Sequence, residues 1–492
     1  MKSARIRLFC LLLLALPPAL QAQRVSARLD LGRREPKPDF YEYSAIDNGL
    51  VTLGPSSAAS SRFITLTKYD AEFRREWKKQ VMEQNGRKTV DFVSVIGTNI
   101  LVFVTELFPK ENVLKTYYYA YNLAGDVLAE EEVLSVYPNE KEQKVALQYV
   151  YSPNKRKLLC FKNLQTRRES EQLLYYIFDD EGDVMQNGEI ALKYPDNRFR
   201  IRNLRISNDG NVYLLGKFYK STIVREAEDF QFLIYRYDIQ TMQGTEILVD
   251  LGGRFISDLA FRLDRNENLY IAGFYSNLGT DQIAGTMLQK ISPDGQLLLN
   301  TIAPFDPGFL RNYLTSGQIE RGRELRNFYM DPVDGIILRS DGGVLLLAEK
   351  FYITYQSTRD IYGYWVDREI FHYDDVILTS VSADGAIEWT SIVEKMQQSD
   401  VQTSLSYFNL SGASGNYIFY EYKPRRNGIN VYVQQVGIDG QVAARKPLLK
   451  DYKYGNEFYP RFCDQVNNEE AILVYTQNRG KLFSVIRVRV DG

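Results

Sequence analysis

Two kinds of short hairpin alternate along the entire chain, and this repetition narrows the possible folds more than any other property of the sequence. The first kind joins two apolar runs by a turn of Asp, Asn and Gly, as in "SAIDNGLVTL" and "RISNDGNVYLLG". The second kind, as in "YYAYNLAGDVLAE" and "TSVSADGAIEW", lies between consecutive copies of the first. Runs of β-branched and aromatic residues around Asp-Gly turns predict β-hairpins, so we expect an all-β fold.

The first hairpin occurs eight times, which sets the expected number of units. The residues that open the strand after its turn are Leu50, Ile100, Leu158, Val212, Leu269, Val344, Tyr417 and Ile472. Successive markers are 50 to 75 residues apart, enough for four short antiparallel strands. Radial repetition of such sheets is how a β-propeller protects its strand edges. The sequence therefore predicts a single eight-bladed β-propeller over residues 23–492, or seven blades if the first hairpin is peripheral.

The two ends of this predicted propeller complement one another. The last unit has three strands, ending at Val490, and lacks its outermost strand. Near the start, "RVSARLDL" from Arg24 to Leu31 has the pattern of a strand but belongs to no complete unit. If it pairs with the last unit, both ends of the chain close the ring and prevent one blade from peeling away. We therefore predict closure by N- and C-terminal strands.

The first 22 residues have the features of a secretory signal peptide. "MKSARIRLFCLLLLALPPALQAQ" starts with basic residues, continues with an apolar core and ends in small residues, with cleavage expected after Ala22. The apolar core is too short to span a bilayer, and no later segment has the roughly 18 apolar residues that a transmembrane helix needs. We expect an exported protein, periplasmic or extracellular, with no lipid anchor and no membrane insertion.

Net charge and cysteine content restrict the partners and the means of stabilisation. Removal of the signal peptide changes the formal net charge from −2 to −5, which gives no reason to expect nucleic acid or an anionic membrane as partner. Cys160 and Cys463 then remain, too few to hold a chain of this size by disulfides. We expect two buried free thiols, with a single bridge between them as the alternative.

The long connections indicate the face on which function is expected. In a four-stranded blade, the connection between strands two and three and the connection to the next blade leave on one face. That set contains the long segments, residues 221–229, 306–334 and 356–375, whereas the other connections are tight turns. Because functional residues are concentrated in loops on a rigid scaffold, we expect the binding surface on this loop-rich face, with the two longest segments side by side.

Aromatic, acidic and basic side chains are concentrated in the two longest segments. The candidate binding residues there are Tyr362, Tyr364, Trp365 and His372 of "YGYWVDREIFHYDD", and Arg321 and Arg323 of "FLRNYLTSGQIERGRELRNF". Such groups can stack on a glycan or clamp a carboxylate or phosphate. The alternative interpretation is that the aromatic side chains hold the segment down while its charges face water.

A second basic feature lies on the predicted innermost strand of the fourth blade. Arg198, Arg200 and Arg202 alternate in "NRFRIRNLR", and a period of two puts all three on one side of a strand. There they could line the mouth of the central channel and attract an anion. The alternative is that they form salt bridges to neighbouring blades. Arg198 and Arg200 therefore join the candidate binding residues.

The sequence lacks the motifs on which most catalytic sites depend. The one histidine has no nucleophile motif beside it, and there is no metal-binding spacing and no phosphate- or dinucleotide-binding glycine motif. We therefore expect no cofactor and no metal. Glycoside hydrolysis needs only two carboxylates a few ångströms apart. The candidate catalytic residues for that alternative are Asp367, Glu369, Asp374 and Asp375.

The outer hairpins resemble a known repeat. In "TSVSADGAIEW" an Asp-Gly turn precedes a strand with Trp389, and Trp77 follows "YDAEFRRE" at the same place. This pattern resembles the pyrroloquinoline-quinone-type repeat of β-propellers, in which such a tryptophan docks the outer strand. That family includes quinoprotein dehydrogenases and non-enzymatic envelope scaffolds. The adjacent cysteines of the dehydrogenases have no counterpart here, so the resemblance implies the scaffold branch. The architecture is also similar to uncharacterised secreted propellers of Gram-negative bacteria.

These observations favour an exported, non-catalytic propeller that binds a protein or a glycan of the bacterial envelope through its loop-rich face. The competing hypothesis is a carbohydrate-active, glycoside hydrolase-like enzyme that uses the carboxylates of residues 356–375. Likeness of fold does not decide between these two hypotheses, because one fold supports many functions.

Overall fold

The computed structural model describes most of the chain, in ranges separated by short gaps. These ranges are residues 24–33, 42–57, 60–83, 85–138, 146–164, 170–195, 198–219, 230–279, 282–331, 334–359, 362–402, 404–422, 430–449, 457–477 and 482–490. The predicted signal peptide and the connection 221–229 lie outside them. Within them the protein is all-β, as the alternating hairpins predict.

Four-stranded antiparallel sheets follow one another along the chain, and we name them sheets A to H in chain order. The first strand, β1 (Arg24–Arg33), belongs to the last sheet. Sheet A has β2 (Glu42–Ile46), β3 (Gly49–Ser57), β4 (Ser60–Asp70) and β5 (Arg75–Glu83). Sheet B has β6 (Lys88–Ile96), β7 (Asn99–Phe108), β8 (Val113–Asn122) and β9 (Val127–Pro138). Sheet C has β10 (Gln148–Tyr151), β11 (Leu158–Leu164), β12 (Ser170–Phe178) and β13 (Val184–Pro195).

Sheets D and E continue the same order. Sheet D has β14 (Phe199–Ile206), β15 (Val212–Tyr219), β16 (Phe230–Asp238) and β17 (Gln243–Leu248). Sheet E has β18 (Phe255–Leu263) and β19 (Leu269–Ser276), and after the short β20 (Gln282–Ile283) it is completed by β21 (Gly285–Ile291) and β22 (Leu297–Pro304). Two short helices follow, α1 (Pro307–Leu310) and α2 (Ser316–Glu320). A short strand, β23 (Leu325–Arg326), then pairs with β20.

The last sheets differ from the others in the division of some strands. In sheet F, β24 (Phe328–Met330) and β25 (Ile336–Leu338) share the first position, since both pair with β26 (Val344–Arg359). The sheet continues with β27 (Trp365–Val381) and β28 (Ile387–Val393), and the short β29 (Gln397–Ser399) also pairs with β27. Sheet G has β30 (Tyr407–Gly412), β31 (Gly415–Tyr422), β32 (Asn430–Gly437) and β33 (Lys446–Leu449). Sheet H has β34 (Glu457–Phe458), β35 (Asp464–Gln465), β36 (Glu470–Gln477) and β37 (Leu482–Arg489).

The second strand of each sheet is deeply buried at its marker residue, because strands flank it and other sheets cover it. All eight marker residues identified in the sequence lie in these strands and are at most 2 % exposed. Every residue of β19 is buried, as expected for a sheet covered on both faces rather than half-solvated. By contrast β16, whose "FQFLIYRY" run suggested complete burial, is only half-buried.

The sheets are packed face to face around a common centre. Core clusters join consecutive sheets, such as Leu53 of sheet A with Val102 of sheet B. The first strands of neighbouring sheets contact one another, as β10 contacts β14. Residues of β10, β14, β18 and β35 line one cavity. This radial arrangement of four-stranded sheets is that of a β-propeller.

The two ends of the described chain meet in sheet H. β1 pairs antiparallel with β37, with Val25 opposite Val488 and Leu29 opposite Val485. The β1 residue Ala27 is buried in a cluster that also contains Leu50 of sheet A. The strand-like segment near the N-terminus therefore supplies the fourth strand that the last repeat lacks.

Both cysteines are free thiols, as predicted, but only Cys160 is fully buried where burial of both was expected. Cys160 is buried in sheet C, and Cys463 is half-buried beside β35. Burial raises the pKa of both thiols, so neither is poised to react as a thiolate. In the part of the chain that the structure describes, no helix has the length and apolar character to cross a membrane.

Candidate functional site

The segment 356–375, which the sequence suggested to be a loop, is a projecting β-hairpin. β26 and β27 stay paired from Phe351 opposite Tyr373 out to Arg359 opposite Trp365. Their neighbours end much earlier, since β24 pairs only as far as Lys350 and β29 only as far as Phe371. We call residues 351–373 the finger. At about 3.3 Å per residue, it extends roughly 20 Å beyond the rest of sheet F.

One face of the finger presents an exposed aromatic surface. Opposite residues of an antiparallel pair share a face, so Tyr355, Trp365 and Ile353 lie on the same side of the hairpin. Tyr355 is 69 % and Trp365 67 % exposed. The Arg359 guanidinium lies 5.0 Å from the centre of the Trp365 ring. At the tip Tyr362 is 78 % and Tyr364 71 % exposed. The expectation that a long segment buries its own aromatic side chains is wrong for these residues.

The histidine lies on the other face, near the base of the finger. The His372 ring stacks on Tyr352, with ring centres 4.4 Å apart and planes 5° from parallel. Thr354 Oγ1 is 2.8 Å from His372 Nε2. His372 and Trp365 are seven residues apart on one strand, and an odd spacing puts them on opposite faces. The structure therefore separates His372 from the other aromatic candidates.

The finger also leaves strand edges uncovered. Within the described residues, β26 beyond Phe351 and β27 before Phe371 pair only with each other. The outer backbone groups of both strands therefore face solvent. Unpaired edges of this kind can accept a further strand.

The second long segment packs against the base of the finger. Asp306 caps α1 by accepting hydrogen bonds from the backbone of Gly308 and Phe309, and this places Tyr313 beside sheet F. Tyr313 donates to Asp375, with the two oxygens 3.1 Å apart. Lys350 Nζ lies 5.7 Å from the centre of the Tyr313 ring. The two long segments are therefore neighbours, and their contact supports the finger from one side.

The two arginines predicted in residues 306–334 have different surroundings. Arg321 is exposed at the C-terminal end of α2. Arg323 lines a cavity of about 380 Å³ together with Arg326, Lys350 and Tyr313. Arg323 is therefore close to the base of the finger, where it could contact one end of a ligand that lies along the finger.

The candidate catalytic carboxylates do not converge on an enclosed site. Asp367 and Glu369 lie on the exposed face of the finger, where they accept hydrogen bonds from Ser357 and Tyr355. Asp375 is at the base, where burial raises its pKa despite the hydrogen bond from Tyr313. The cavity beside Tyr313 is lined by none of the four candidates. Asp367 and Glu369 are alternate residues of β27 and lie on the same solvent-exposed face of the finger.

The arginines of sheet D do not form the single row that the sequence predicted. Arg198 donates to the Tyr219 carbonyl at 3.0 Å and lies over the Phe218 ring. Arg200 is exposed and lies opposite Lys217 on the neighbouring strand. A β-bulge between Ile201 and Asn203 makes Arg202 the extra residue of β14, which interrupts the two-residue period.

Several residues of the surface were not singled out from the sequence. Ile353 and Tyr355 belong to "FYITYQSTR", a run of β-branched and aromatic residues without Gly or Pro. That composition is typical of a strand, and its recognition would have extended β26 to the tip. Tyr313 and Lys350 had no local signal, because their contact joins two segments distant in sequence. Among the described residues, no three His, Cys, Asp or Glu side chains are grouped so that they could hold a metal ion.

Comparison with known proteins identifies no family. No family model and no curated protein matches the chain. Solved structures match at low similarity. Polysaccharide lyase Uly1 has a TM-score of 0.41 and 7 % identity over 92 % of this chain and 90 % of that one. The β-propeller domain of the trilobed protease from Pyrococcus furiosus has a TM-score of 0.35 and 10 % identity over 84 % of this chain and 96 % of that one. The Penicillium chrysogenum alpha-L-arabinanase has a TM-score of 0.30 and 10 % identity over 76 % of this chain and 98 % of that one. Likeness at this level assigns no activity to the chain.

Proposed function

We propose that this protein is a non-catalytic binding module that contacts a protein or a glycan through the finger. The observation that carries the proposal is the exposure of Tyr355 and Trp365 on one face of a projecting hairpin. Large aromatic side chains cost free energy when they face water, and clusters of them on a folded surface are typical of binding sites.

The base of the finger is held in place, which favours binding by a preformed surface. Glu349 and Lys395 form a buried ion pair with atoms 2.5 Å apart, and Ser406 donates to the other Glu349 oxygen at 2.6 Å. Lys395 also donates to the Tyr373 carbonyl at 2.9 Å. A surface that is ordered before binding loses less conformational entropy when a ligand arrives.

Two features of the finger define the chemistry of its ligand. The faces of Tyr355 and Trp365 can stack on the C–H face of a sugar ring or on an apolar protein patch. The uncovered edges of β26 and β27 offer backbone donors and acceptors to an extended polypeptide strand. The aromatic surface fits either ligand, whereas the edges favour a protein.

We infer further that sheets A to H are eight blades of one ring formed by residues 23–492, closed by β1 and β37. The pairing of these two strands supports closure, and so does the core cluster that joins Leu50 of sheet A to Ile472 and Val485 of sheet H. The signal-like sequence of residues 1–22 supports export to the periplasm or beyond it. The bacterial envelope is therefore the place where we propose the finger finds its ligand.

The proposal is tested by comparing the wild type with variants of the finger. A shortened finger that lacks residues 354–357 and 367–370 keeps the strand register, because equal even numbers leave both strands. We expect wild-type protein to retain specific partners from envelope extracts or specific glycans on an array, and the shortened finger to lose them. Tyr355→Ala and Trp365→Ala each weaken binding at least tenfold, since a buried aromatic anchor contributes 2 kcal/mol or more, on the order of a hot spot.

The matched control is Ile438→Ala, which removes an exposed apolar side chain from a turn of sheet G. We expect this variant to bind within twofold of wild type. Identical binding profiles for wild type and the shortened finger would reject the finger as the binding surface. Turnover of a glycoside that is lost in Asp367→Asn would instead support the carbohydrate-active enzyme.

A further inference from the structure

A large cavity lies at the centre of the propeller, separate from the finger. It has a volume of about 1130 Å³ and is lined by residues of β10, β14 and β18, together with Asp334 and Asp464 from sheets F and H. Its lining includes Ser152 and Lys155 of the β10–β11 turn and Ile206 at the end of β14. It therefore extends towards the end of the sheets opposite the finger. Its volume is slightly above the range for small-molecule sites, roughly 300–1000 Å³, so a small ligand has room to enter together with water.

The cavity has an excess of positive charge. Its basic wall is formed by Lys155, Arg202, Arg205 and Arg262, whereas the lining contains two carboxylates, Asp334 and Asp464. Arg262 forms an ion pair with Asp334 at 3.1 Å. The excess is local, because the whole chain has a net charge of −2. Like charges gathered in an enclosed space produce a field that attracts a ligand of the opposite sign.

The local structure aims these groups into the cavity. Arg202 is the extra residue of the β-bulge in β14, and bulges redirect a side chain relative to its strand. Arg205, three residues later, is buried. Burial and the neighbouring Arg262 lower the pKa of Arg205 to about 9, against the attraction of Asp334 and Asp331. An anion beside this guanidinium would favour its charged form, which burial and, to a lesser extent, Arg262 disfavour.

We propose that the central cavity binds a small organic anion whose carboxylate or phosphate group lies against Arg202, Arg205 and Lys155. Arginine suits this task, because its planar guanidinium offers paired donors to two oxygens of a carboxylate or phosphate. The neutral polar lining, which includes Gln148 and Asn203, can hydrogen-bond the rest of the ligand. This site does not depend on the finger, since the two lie towards opposite ends of the sheets.

The test measures binding of citrate, inorganic phosphate and glucose to the full protein by calorimetry at low ionic strength. We expect one saturable site for citrate or phosphate, and the preferred probe identifies the group that the site takes. Affinity falls at least tenfold in Arg202→Gln and also falls with added salt. Arg202 is exposed within the cavity, so this variant keeps the fold. Lys155→Gln, on an exposed turn, provides a second variant that weakens binding.

The control is Arg75→Gln, which removes the same charge from an exposed position on β5 and is expected to bind within twofold of wild type. Trp365→Ala also keeps anion binding, which separates this site from the finger. The proposal is overturned if neither anion binds saturably, if glucose binds as well as the anions do, or if the Arg202→Gln and Lys155→Gln variants bind like wild type.

Discussion

At the scale of single residues, two tryptophans perform the same task in different sheets. Trp77 Nε1 donates to the Leu123 carbonyl of sheet B at 3.0 Å, and Trp389 Nε1 donates to the Ile438 carbonyl of sheet G at 3.1 Å. The Trp389 ring lies against Gly440, where an added Cβ would be 2.6 Å from it. Gly440 also has a positive φ of 81°, so both the backbone and the ring require glycine. Trp389 therefore docks its strand against the neighbouring sheet, as its place after the turn predicts.

Replacement of Trp389 separates this docking role from the role of the exposed tryptophan. We expect Trp389→Ala to lower the free energy of unfolding by about 2 kcal/mol, since a half-buried ring and its hydrogen bond are lost. Trp365→Ala, the matched control, changes it by less than about 0.5 kcal/mol. Urea unfolding followed by fluorescence measures both. Equal losses in the two variants would show that Trp365 is also a packing residue.

Sequence alone could identify the docking tryptophans but not the exposed one. Trp389 follows an Asp-Gly turn at a fixed distance, so its position along the chain determines its position in space. Trp365 has aromatic and charged neighbours that fit a buried anchor as well as a binding surface. Its exposure arises because, among the described residues, only β26 pairs with β27 before Phe371. The sequence does not show where this pairing ends.

At the scale of elements, buried polar groups join one sheet to the next. Lys162 of β11 donates to Thr105 and Thr116 of sheet B at 3.0 and 2.6 Å. Thr105 in turn donates to Asp91 of β6 at 2.6 Å. A buried ammonium needs such partners, because burial without them costs several kcal/mol. The link therefore fixes the position of sheet C relative to sheet B.

The Asp91 carboxyl makes this link sensitive to pH. Burial raises the pKa of Asp91 from 3.8 to about 6, against the attraction of Lys162. The folded protein therefore binds this proton more tightly than the unfolded chain does. The protonated Asp91 carboxyl stabilises the folded protein fully below about pH 4, and this stabilisation is lost as the pH rises through 6. The free energy of unfolding falls by about 2 kcal/mol over this range. Urea unfolding at pH 4 and pH 6.5 measures it.

The matched variant is Asp91→Asn, which keeps an acceptor for Thr105 but cannot titrate. We expect its stability to change less than that of wild type between these two pH values. A wild-type slope that Asp91→Asn leaves unaltered would assign the effect to other groups, such as Asp464, whose pKa is also raised to about 6 by burial.

The elements show where local pattern stops being informative. The tight turns and second strands were predictable, because Asp-Gly turns and apolar runs act over a few residues. The finger was mistaken for a loop, since its aromatic and charged residues resemble those of binding loops. Its strands are stabilised by pairing with each other and not by burial, so the strand-like composition of residues 351–359 was the signal that could have revealed them.

At the scale of the whole molecule, the pairing of β1 with β37 is the contact that joins the ends of the chain. We expect deletion of residues 24–33 to lower the melting temperature by roughly 5–10 °C, since Ala27 and Leu29 lose their packing and β37 loses a neighbour. The uncovered edge of β37 should also make the protein associate as its concentration rises. Differential scanning calorimetry and light scattering measure these effects.

The shortened finger, with eight residues removed from an exposed hairpin, is the control for this deletion. We expect its melting temperature to stay within about 2 °C of the wild type, because no core cluster loses a member. If both changes destabilise equally, the end strand has no special part in holding the molecule together.

The all-β class and the four-stranded repeat were predictable from spacing alone. The arginines of β14 were expected at the mouth of a central channel, and Arg202 does line the cavity. The other charged residues of the lining were not predictable, because the lining comes from five sheets that meet only in the folded molecule. Arg202 and Asp464 are more than 250 residues apart in sequence, and no local pattern connects them. The bulge that aims Arg202 inward is likewise visible only in the register of β14 against β15.

The join between β1 and β37 also has a consequence for biosynthesis. A ribosome makes β1 before all the sheets that separate it from β37, so β1 lacks its partner strand until β37 has been made. β1 and β37 cannot pair before β37 has been translated, however fast the intervening sheets form. Contacts of such long sequence separation are slow to form, and an unpaired strand is open to association with other chains while it waits. The risk of such association therefore lasts until β37 is available to pair with β1.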